Sequence, residues 1–462
     1  MIDDRTSAQS IHTFATWEPV LRLLRADRVE RYGTAAGGAI GRIGRGGWSL
    51  GLAGRGRRRP REVFEREVEA VLRVREALEE AGTGSVAFAA EFAPSGAVAL
   101  RLLEPSPAVE PGIGGPSPGA LMLVEGAVPE PWRRLPAPVP GVAPAPSADP
   151  GELGRMLRER LPGAVGATEG ELAAAERRLG VELPAELKAL YRVTRGRWED
   201  RPYDPEAARR EARAVGCELL PPDDLYIADA ASRPAPWGHA ALEAVVTPPG
   251  AAVQGLVGSP GWLAFGDNGG GDRLAVDLTP GPGGHLGQII RISHEEYLGA
   301  DLVAASLTDL VAGRLSAERH LRGEVPAVAR VNNVCLRSVG AGARPELEVL
   351  SIGVRDGPPL SLAPVTGLPR LRTLTAAAGT LADPLEIARI PALEYLEIGP
   401  DDWRVLLDAG AVPRTLSAAA VDVPAYPADL RAVVSLVNEI LALWDRPPIT
   451  ETLVEGELGA EA

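Results

Sequence analysis

Residues 262–292 read WLAFGDNGGGDRLAVDLTPGPGGHLGQIIRI, and this stretch decides how the middle of the chain folds. Leu263 and Phe265 alternate with smaller residues until Asp267-Asn268-Gly269-Gly270-Gly271-Asp272 breaks the pattern. Leu274 and Val276 resume it, Pro280 to Gly284 breaks it again, and Ile289 with its neighbours closes it. Apolar runs of period two, bounded by Asn, Gly, Asp and Pro, predict an antiparallel meander of three strands. The turns call for glycine because some of their positions need φ > 0, which a Cβ penalises.

Helices are predicted on either side. Upstream, Thr168-Glu169-Gly170-Glu171 fits a capping box, and Leu172, Ala175 and Leu179 share one helical face. Gly180 suits a left-handed helix end, and Pro184 the start of a second helix with Leu187, Leu190 and Tyr191 inward. Downstream, Leu307, Leu310 and Val311 lie on a closing helix. Helices, then antiparallel strands, then a helix make an α+β domain.

These pieces, in this order, resemble the SUKH superfamily, from roughly Gly151 to Arg314. The resemblance rests on Glu171, on Leu179-Gly180-Val181-Glu182-Leu183-Pro184, and on Leu187, Leu190-Tyr191 and Gly196. It continues through Leu219-Leu220-Pro221 and the Trp262 meander with Asp277 and Gly287. The superfamily includes a fungal cell-wall-synthesis regulator and many bacterial immunity proteins. The resemblance implies a non-catalytic protein-binding role, with toxin neutralisation by direct binding as the leading expectation. A cytoplasmic regulatory scaffold is the alternative.

The C-terminal third carries a repeated frame. Val331-x-x-Val334-x-Leu336, Leu347-x-x-Leu350-x-Ile352, Leu371-x-x-Leu374-x-Ala376 and Leu393-x-x-Leu396-x-Ile398 align, with Pro345, Pro369 and Pro391 preceding the last three. The frame resembles leucine-rich repeats, though without the asparagine of their turn. It predicts an irregular solenoid over 323–446. Pro427 to Trp444 reads as a helix capping the open end, with Val433, Val434, Val437, Ile440 and Leu441 along one stripe.

Residues 1–134 predict a small α+β module: helices near Trp17–Arg31 and Arg61–Ala81, then a hairpin over Ser85–Leu103. Residues 135–150, LPAPVPGVAPAPSADP, read as an extended proline–alanine linker. The SUKH-like domain is expected over 151–322, and 447–462 as a loose acidic tail.

Composition narrows the function. A formal net charge of −14 disfavours nucleic acid and anionic membranes and favours a basic partner. No apolar run approaches the ~20 residues of a membrane helix, and no signal peptide begins the sequence, so a cytoplasmic protein is expected. Cys217 and Cys335 read as reduced, buried thiols.

Catalytic signatures are weak. None of His12, His239, His285, His294 and His320 pairs with another ligand at metal spacing. His294-Glu295-Glu296 lacks the second histidine of a zinc-protease helix. Gly269-Gly270-Gly271 leads into a strand, not a phosphate-binding helix, and Asp267, Asp272 and Asp277 do not fit an EF-hand. The basic run Arg55–Arg61 reads as a solvated turn. No metal or cofactor is expected.

The candidate surface is acidic instead. The insert Glu199–Asp229 holds nine Asp and Glu against four Arg, a net of −5. A basic toxin domain is the expected partner. Asp200, Asp223 and Asp224 would supply charge and Trp198 an apolar anchor. Asp267 and Asp272 at the meander turn, and Trp262 beside them, complete the candidate set. Core burial competes with partner contact for Trp262.

Overall fold

A computed structural model describes residues 10–52, 61–104, 106–110, 121–200, 204–316, 327–423 and 430–459. The chain mixes helices and strands, as an α+β protein does. It divides into two units: residues 128–329 with 346–349, and the remainder, which draws on both ends of the sequence.

The remainder begins with α1 (Phe14–Tyr32), β1 (Gly37–Gly44), β2 (Gly47–Ser49), α2 (Arg61–Glu80), β3 (Ser85–Phe92) and β4 (Ala97–Glu104). Two short strands, β5 (Val109–Glu110) and β6 (Leu121–Leu123), follow. The two predicted helices and the hairpin are present. Strand β1, GGAIGRIG, is an addition. Its glycines hide it from a hydrophobic pattern, yet Gly41 is needed, because a Cβ there would lie 2.3 Å from the Phe88 ring. Trp17, Val20, Leu21, Val71, Val74, Phe88 and Leu100 pack into one core between the helices and this sheet.

The 128–329 unit holds α3 (Glu130–Arg133), α4 (Pro150–Arg160), α5 (Glu169–Leu179), α6 (Ala185–Tyr191) and α7 (Pro205–Val215). Strands β7 (Glu218–Leu219) and β8 (Tyr226–Ile227), helix α8 (Trp237–Ala241), strands β9 (Trp262–Asp267), β10 (Arg273–Asp277), β11 (Gln288–Ile292) and β12 (Asp301–Ala304), and helix α9 (Leu307–Ala312) complete it. The local chemistry read from the sequence is in place. Thr168 and Glu171 form the reciprocal capping box of α5, and Gly180 ends that helix at φ 71°.

The meander forms as expected, with β9, β10 and β11 antiparallel in sequence. The sheet is wider, in the order β12-β11-β10-β9-β7, with β8 also on β9. Both its faces are covered. Leu263, Phe265, Leu274, Val276 and Ile289 meet the helices through Leu153, Leu187, Leu190 and Tyr191. Trp262, Ala264, Ala275 and Ile290 meet Val245, Val253, Leu256 and Ala300 on the other side. The small residues that make the alternation visible are thus the second core, not a solvent face.

Residues 135–149 depart from expectation. They are not a free linker but lie along the rest of the 128–329 unit, their main chain hydrogen-bonded to the Gln254 side chain and the Leu286 backbone N–H. Apart from a turn closed by Ala148 N on Ala145 O, the segment needs outside partners for its amides, and this surface supplies several of them.

The rest of the chain contributes β13 (Val328–Val331), α10 (Val339–Gly342), β14 (Val349–Ile352), β15 (Thr373–Ala376), β16 (Tyr395–Ile398), α11 (Pro400–Asp408), β17 (Ala418–Val421), α12 (Leu430–Leu443) and β18 (Thr450–Glu457). Leu350, Leu374 and Leu396 occupy the second positions of β14, β15 and β16, neighbours in one sheet, and all are fully buried. The pairing of β15 with β16 and of β16 with β17 is parallel. The first copy of the frame fails. Strand β13 stops at Val331, and Val334 stands 89% exposed beyond it. Nor does the sheet run on as an open stack, because β17 pairs antiparallel with β6. The structure shows a parallel run inside a mixed sheet, not a solenoid.

Two further expectations are corrected. The supposed acidic tail is β18, antiparallel to β4 over its full length, in a five-stranded sheet ordered β18-β4-β3-β1-β2. Val454 and Leu458 supply its inward anchors. Cys335 is exposed, whereas Cys217 is buried and its thiol is pushed up to about 12 by that burial.

Candidate partner-binding surface

The candidate residues gather where α5, β7 and the β9–β10 turn meet. Arg195, just past α6, lies at the centre of the first group. Its Nε and Nη2 each stand 2.7 Å from the two carboxylate oxygens of Asp200, a bidentate pair. Its Nη1 donates to Glu171 at 3.2 Å. Hydrogen bonding to Asp200 holds the Arg195 guanidinium well above its ordinary pKa. Arg197 Nη2 reaches Asp223 at 2.9 Å and Glu171 at 3.4 Å. Glu171 is the same residue that caps α5. The Thr168 backbone N–H, then its hydroxyl, and then the two arginines hold its carboxyl below the usual range.

The second group is built on the turn. Asp267 Oδ1 accepts from Gly269 N at 2.6 Å, and Asn268 Oδ1 from Gly270 N at 2.7 Å and Asp272 N at 3.1 Å. Gly269 and Gly271 take φ of 80° and 103°, so the glycines of this turn are required. Asp267 pairs with Arg273 across it. Asp272 accepts from the His294 backbone N–H at 3.1 Å and lies 2.8 Å from His294 Nδ1. Burial alone would raise Asp272, but the two His294 hydrogen bonds outweigh it and its pKa is lowered. Arg291 bridges onward to Asp301, whose hydrogen bond raises the arginine.

Strand β7 connects the groups. Glu218 and Leu219 pair with Asp267 and Gly266. The Leu219 carbonyl approaches Gly196 so closely that a Cβ there would sit 2.9 Å away. Strand β7 thus lies between two groups of paired carboxylates and cationic side chains, which together make the charged rim.

This placement revises the candidate set. Asp200 and Asp223 are ion-paired, so the insert is not an open field of negative charge. Asp224 is exposed and has no side-chain partner among the described residues. Trp198 opens a short 3-10 turn, Trp198–Asp200; its side chain lies outside the described residues. Trp262 is corrected outright. It is 0% exposed in the second core and cannot anchor a partner. Arg195, Arg197, Arg273 and Arg291 belong to the surface but were not singled out. Their acidic partners come from other elements, and only the acids carried a local signal.

Asp277, at the far end of β10, is also 0% exposed. It accepts from Gln288 Nε2 at 2.9 Å and from Thr279 N at 2.8 Å. Burial pushes its carboxyl up to about 6, against the pull of these donors and of the nearby Trp262 indole, whose N–H lacks a well-formed hydrogen bond. Among the described residues no group of three or more His, Cys, Asp or Glu is placed to hold a metal. No helix among them is long and apolar enough to cross a membrane.

Comparison with known proteins agrees with this geometry. A 118-residue stretch is 32% identical to a protein of Neurospora crassa named "Glucan synthesis regulatory protein". The match covers 24% of this chain and 21% of the relative, so the chain spans about a fifth of that protein's length. The SMI1 / KNR4 family (SUKH-1) matches residues 166–313, from just before the α5 cap to Gly313, which ends α9. The capped helices, the meander and the charged rim all lie within the residues that match the SMI1 / KNR4 family (SUKH-1).

Proposed function

We propose that this chain is a non-catalytic binding protein, and that its SUKH-1 domain neutralises a toxin by covering a basic surface on it. The observation that carries this reading is the rim. Its carboxylates are held in place by Arg195, Arg197, Arg273 and Arg291, so they are presented with little side-chain entropy left to lose. Fixed charges of both signs select a complementary partner and set its register. Asp224 adds an unpaired negative charge for steering. The partner is expected to be a basic toxin domain. The β14–β17 run acts in this reading as a short leucine-rich-repeat-like support that offers a second binding face.

The test is capture of the partner from native extract, followed by expression of that partner alone and together with this chain. Growth arrest by the partner, relieved by this chain, is the expected outcome. A captured partner that causes no arrest would replace this reading with the second one, a regulatory scaffold. That second reading draws on the name of the Neurospora crassa relative.

A further inference from the structure

The segment 135–149 is unusual in how it is held. It is rich in proline and alanine, and Leu135, Pro138, Pro140, Ala143, Pro144 and Pro146 are exposed, so most of it lies on the surface, with Ala145 buried. Yet the 128–329 unit grips its main chain at three points. Gln254, 3% exposed, accepts from Ala137 N on Oε1 and donates Nε2 to Ala137 O, both at 2.9 Å. One side-chain amide thus reads both polar atoms of a single extended residue. Six residues on, Leu286 N donates to Ala143 O at 3.0 Å, and Pro144 bridges Leu286 in parallel. At the far end Thr308 Oγ1, whose proton goes to Glu186, accepts from Asp149 N at 3.2 Å.

The seat is tied to its own domain by contacts that do not involve the strap. Gln254 Nε2 is aimed by the carbonyls of Thr279 and Pro280, both at 3.2 Å. The loop carrying Leu286 is fastened by Gly281 N to Ala252 O and Gly283 N to Ala251 O. It packs so tightly that a Cβ on Gly281, Gly283 or Gly284 would lie 2.2 Å from a backbone oxygen. Gln254, Leu286 and Thr308 all fall within the SUKH-1 match at 166–313, whereas the strap precedes it.

Contacts of this kind recognise main chain and not particular side chains; the strap meets them on either side of a turn at Gly141, φ 74°, and proline limits the entropy lost in holding it. We propose that this seat is a binding site for an extended proline- and alanine-rich peptide, filled here in cis by residues 135–149. The tether places the strap at a high effective concentration, so a partner's segment enters when the strap is released. The site is separate from the charged rim, and its test does not depend on the toxin-binding reading.

The experiment uses the full chain with residues 136–147 replaced by glycine and serine at equal length, and a fluorescent peptide of residues 135–148. Circular dichroism establishes that the replaced chain is folded, and anisotropy reads binding. The peptide should bind the replaced chain about tenfold or more tightly than the native chain, because the cis competitor is gone. Gln254→Ala in the replaced background should weaken binding about fivefold or more, as expected for loss of two hydrogen bonds. A glycine–serine peptide of the same length should not bind. A folded replaced chain that ignores the peptide, or binds it equally with Gln254→Ala, overturns the proposal. Should the replaced chain not fold, Ala137→Pro serves instead, since it removes the strap N–H that Gln254 accepts while leaving the other strap residues in place. The free peptide should then raise the melting temperature of that variant, and no rise overturns the proposal equally.

Discussion

Leu374 on β15 and Leu396 on β16 stand opposite each other in parallel register, and neither exposes any surface. Each lies on a strand flanked on both sides, which makes the pair a direct probe of this sheet. Leu374→Ala should destabilise the unit that holds it by about 2–5 kcal/mol, through lost transfer energy and the cavity left behind. Urea unfolding followed by fluorescence checks this. A loss under about 1 kcal/mol would mean the site collapses or is not a core position.

Glu186 should act as a remote helix cap. It lies on α6, is 8% exposed, and accepts from the backbone N–H groups of Leu307 and Thr308 and from the Thr308 hydroxyl. Those are orphan donors of the first turn of α9. Glu186→Ala strands them in a buried setting, at a cost of about 1–3 kcal/mol for each group left unsatisfied. Hydrogen exchange should show the loss first at Leu307 and Thr308.

Asp277 should contribute more to the stability of the central domain in acid than at neutral pH. Its folded value of about 6 lies above the ordinary carboxylate value of 3.8, so the native chain holds this proton more tightly than the unfolded chain. The contribution is therefore complete below about pH 4 and is lost as pH rises through about 6, amounting to about 3 kcal/mol. Asp277→Asn should remove that slope. It should also lower stability throughout, because an amide donor would face the Gln288 donor. Thermal melts from pH 3.5 to 7.5 distinguish the two effects; an unchanged slope in the variant would assign the dependence elsewhere.

On the rim, reversing Asp223 and Asp224 to Arg should slow association with the captured partner several-fold at low salt, and the difference should shrink as salt rises. Trp198→Ala should raise the dissociation rate instead, by about 2 kcal/mol or more if it anchors the interface. Surface-plasmon kinetics at two ionic strengths measure both. Unchanged rates in both variants would move the interface away from this edge.

What the sequence revealed follows from how local each signal is. The Thr168–Glu171 box, the Gly180 helix end and the Gly269–Gly271 turn depend on neighbours a few residues apart, and all are present. The leucine frame worked where leucines fill the second strand position. It missed β17, where Ala419 stands opposite Leu396. It overreached at Val334, where pattern without burial put a strand in solvent. Strand β18 reads Thr-Glu-Thr-Leu-Val-Glu-Gly-Glu, polar enough to pass for a tail, because it is an edge with few inward positions. At the rim the acids stood out in one segment. Their partners arrive from other elements, as when Asp272 of the turn meets His294 beyond β11. That is tertiary information, and it turned an apparent acidic patch into a paired one.

The pairing of β18 with β4 also sets a schedule for synthesis. Arg101 and Glu451, joined across these strands, are 350 residues apart. At about 5–20 residues per second, roughly 20–70 s separate the emergence of one from the other at the ribosome. Throughout that interval β4 waits as an unpaired edge, with its amides and carbonyls open to any passing strand. Vectorial folding of the N-terminal sheet is therefore impossible to finish early, because it waits on Thr450–Glu457. A chain ended by a premature stop before Thr450 keeps that edge for life, and it is the form expected to aggregate.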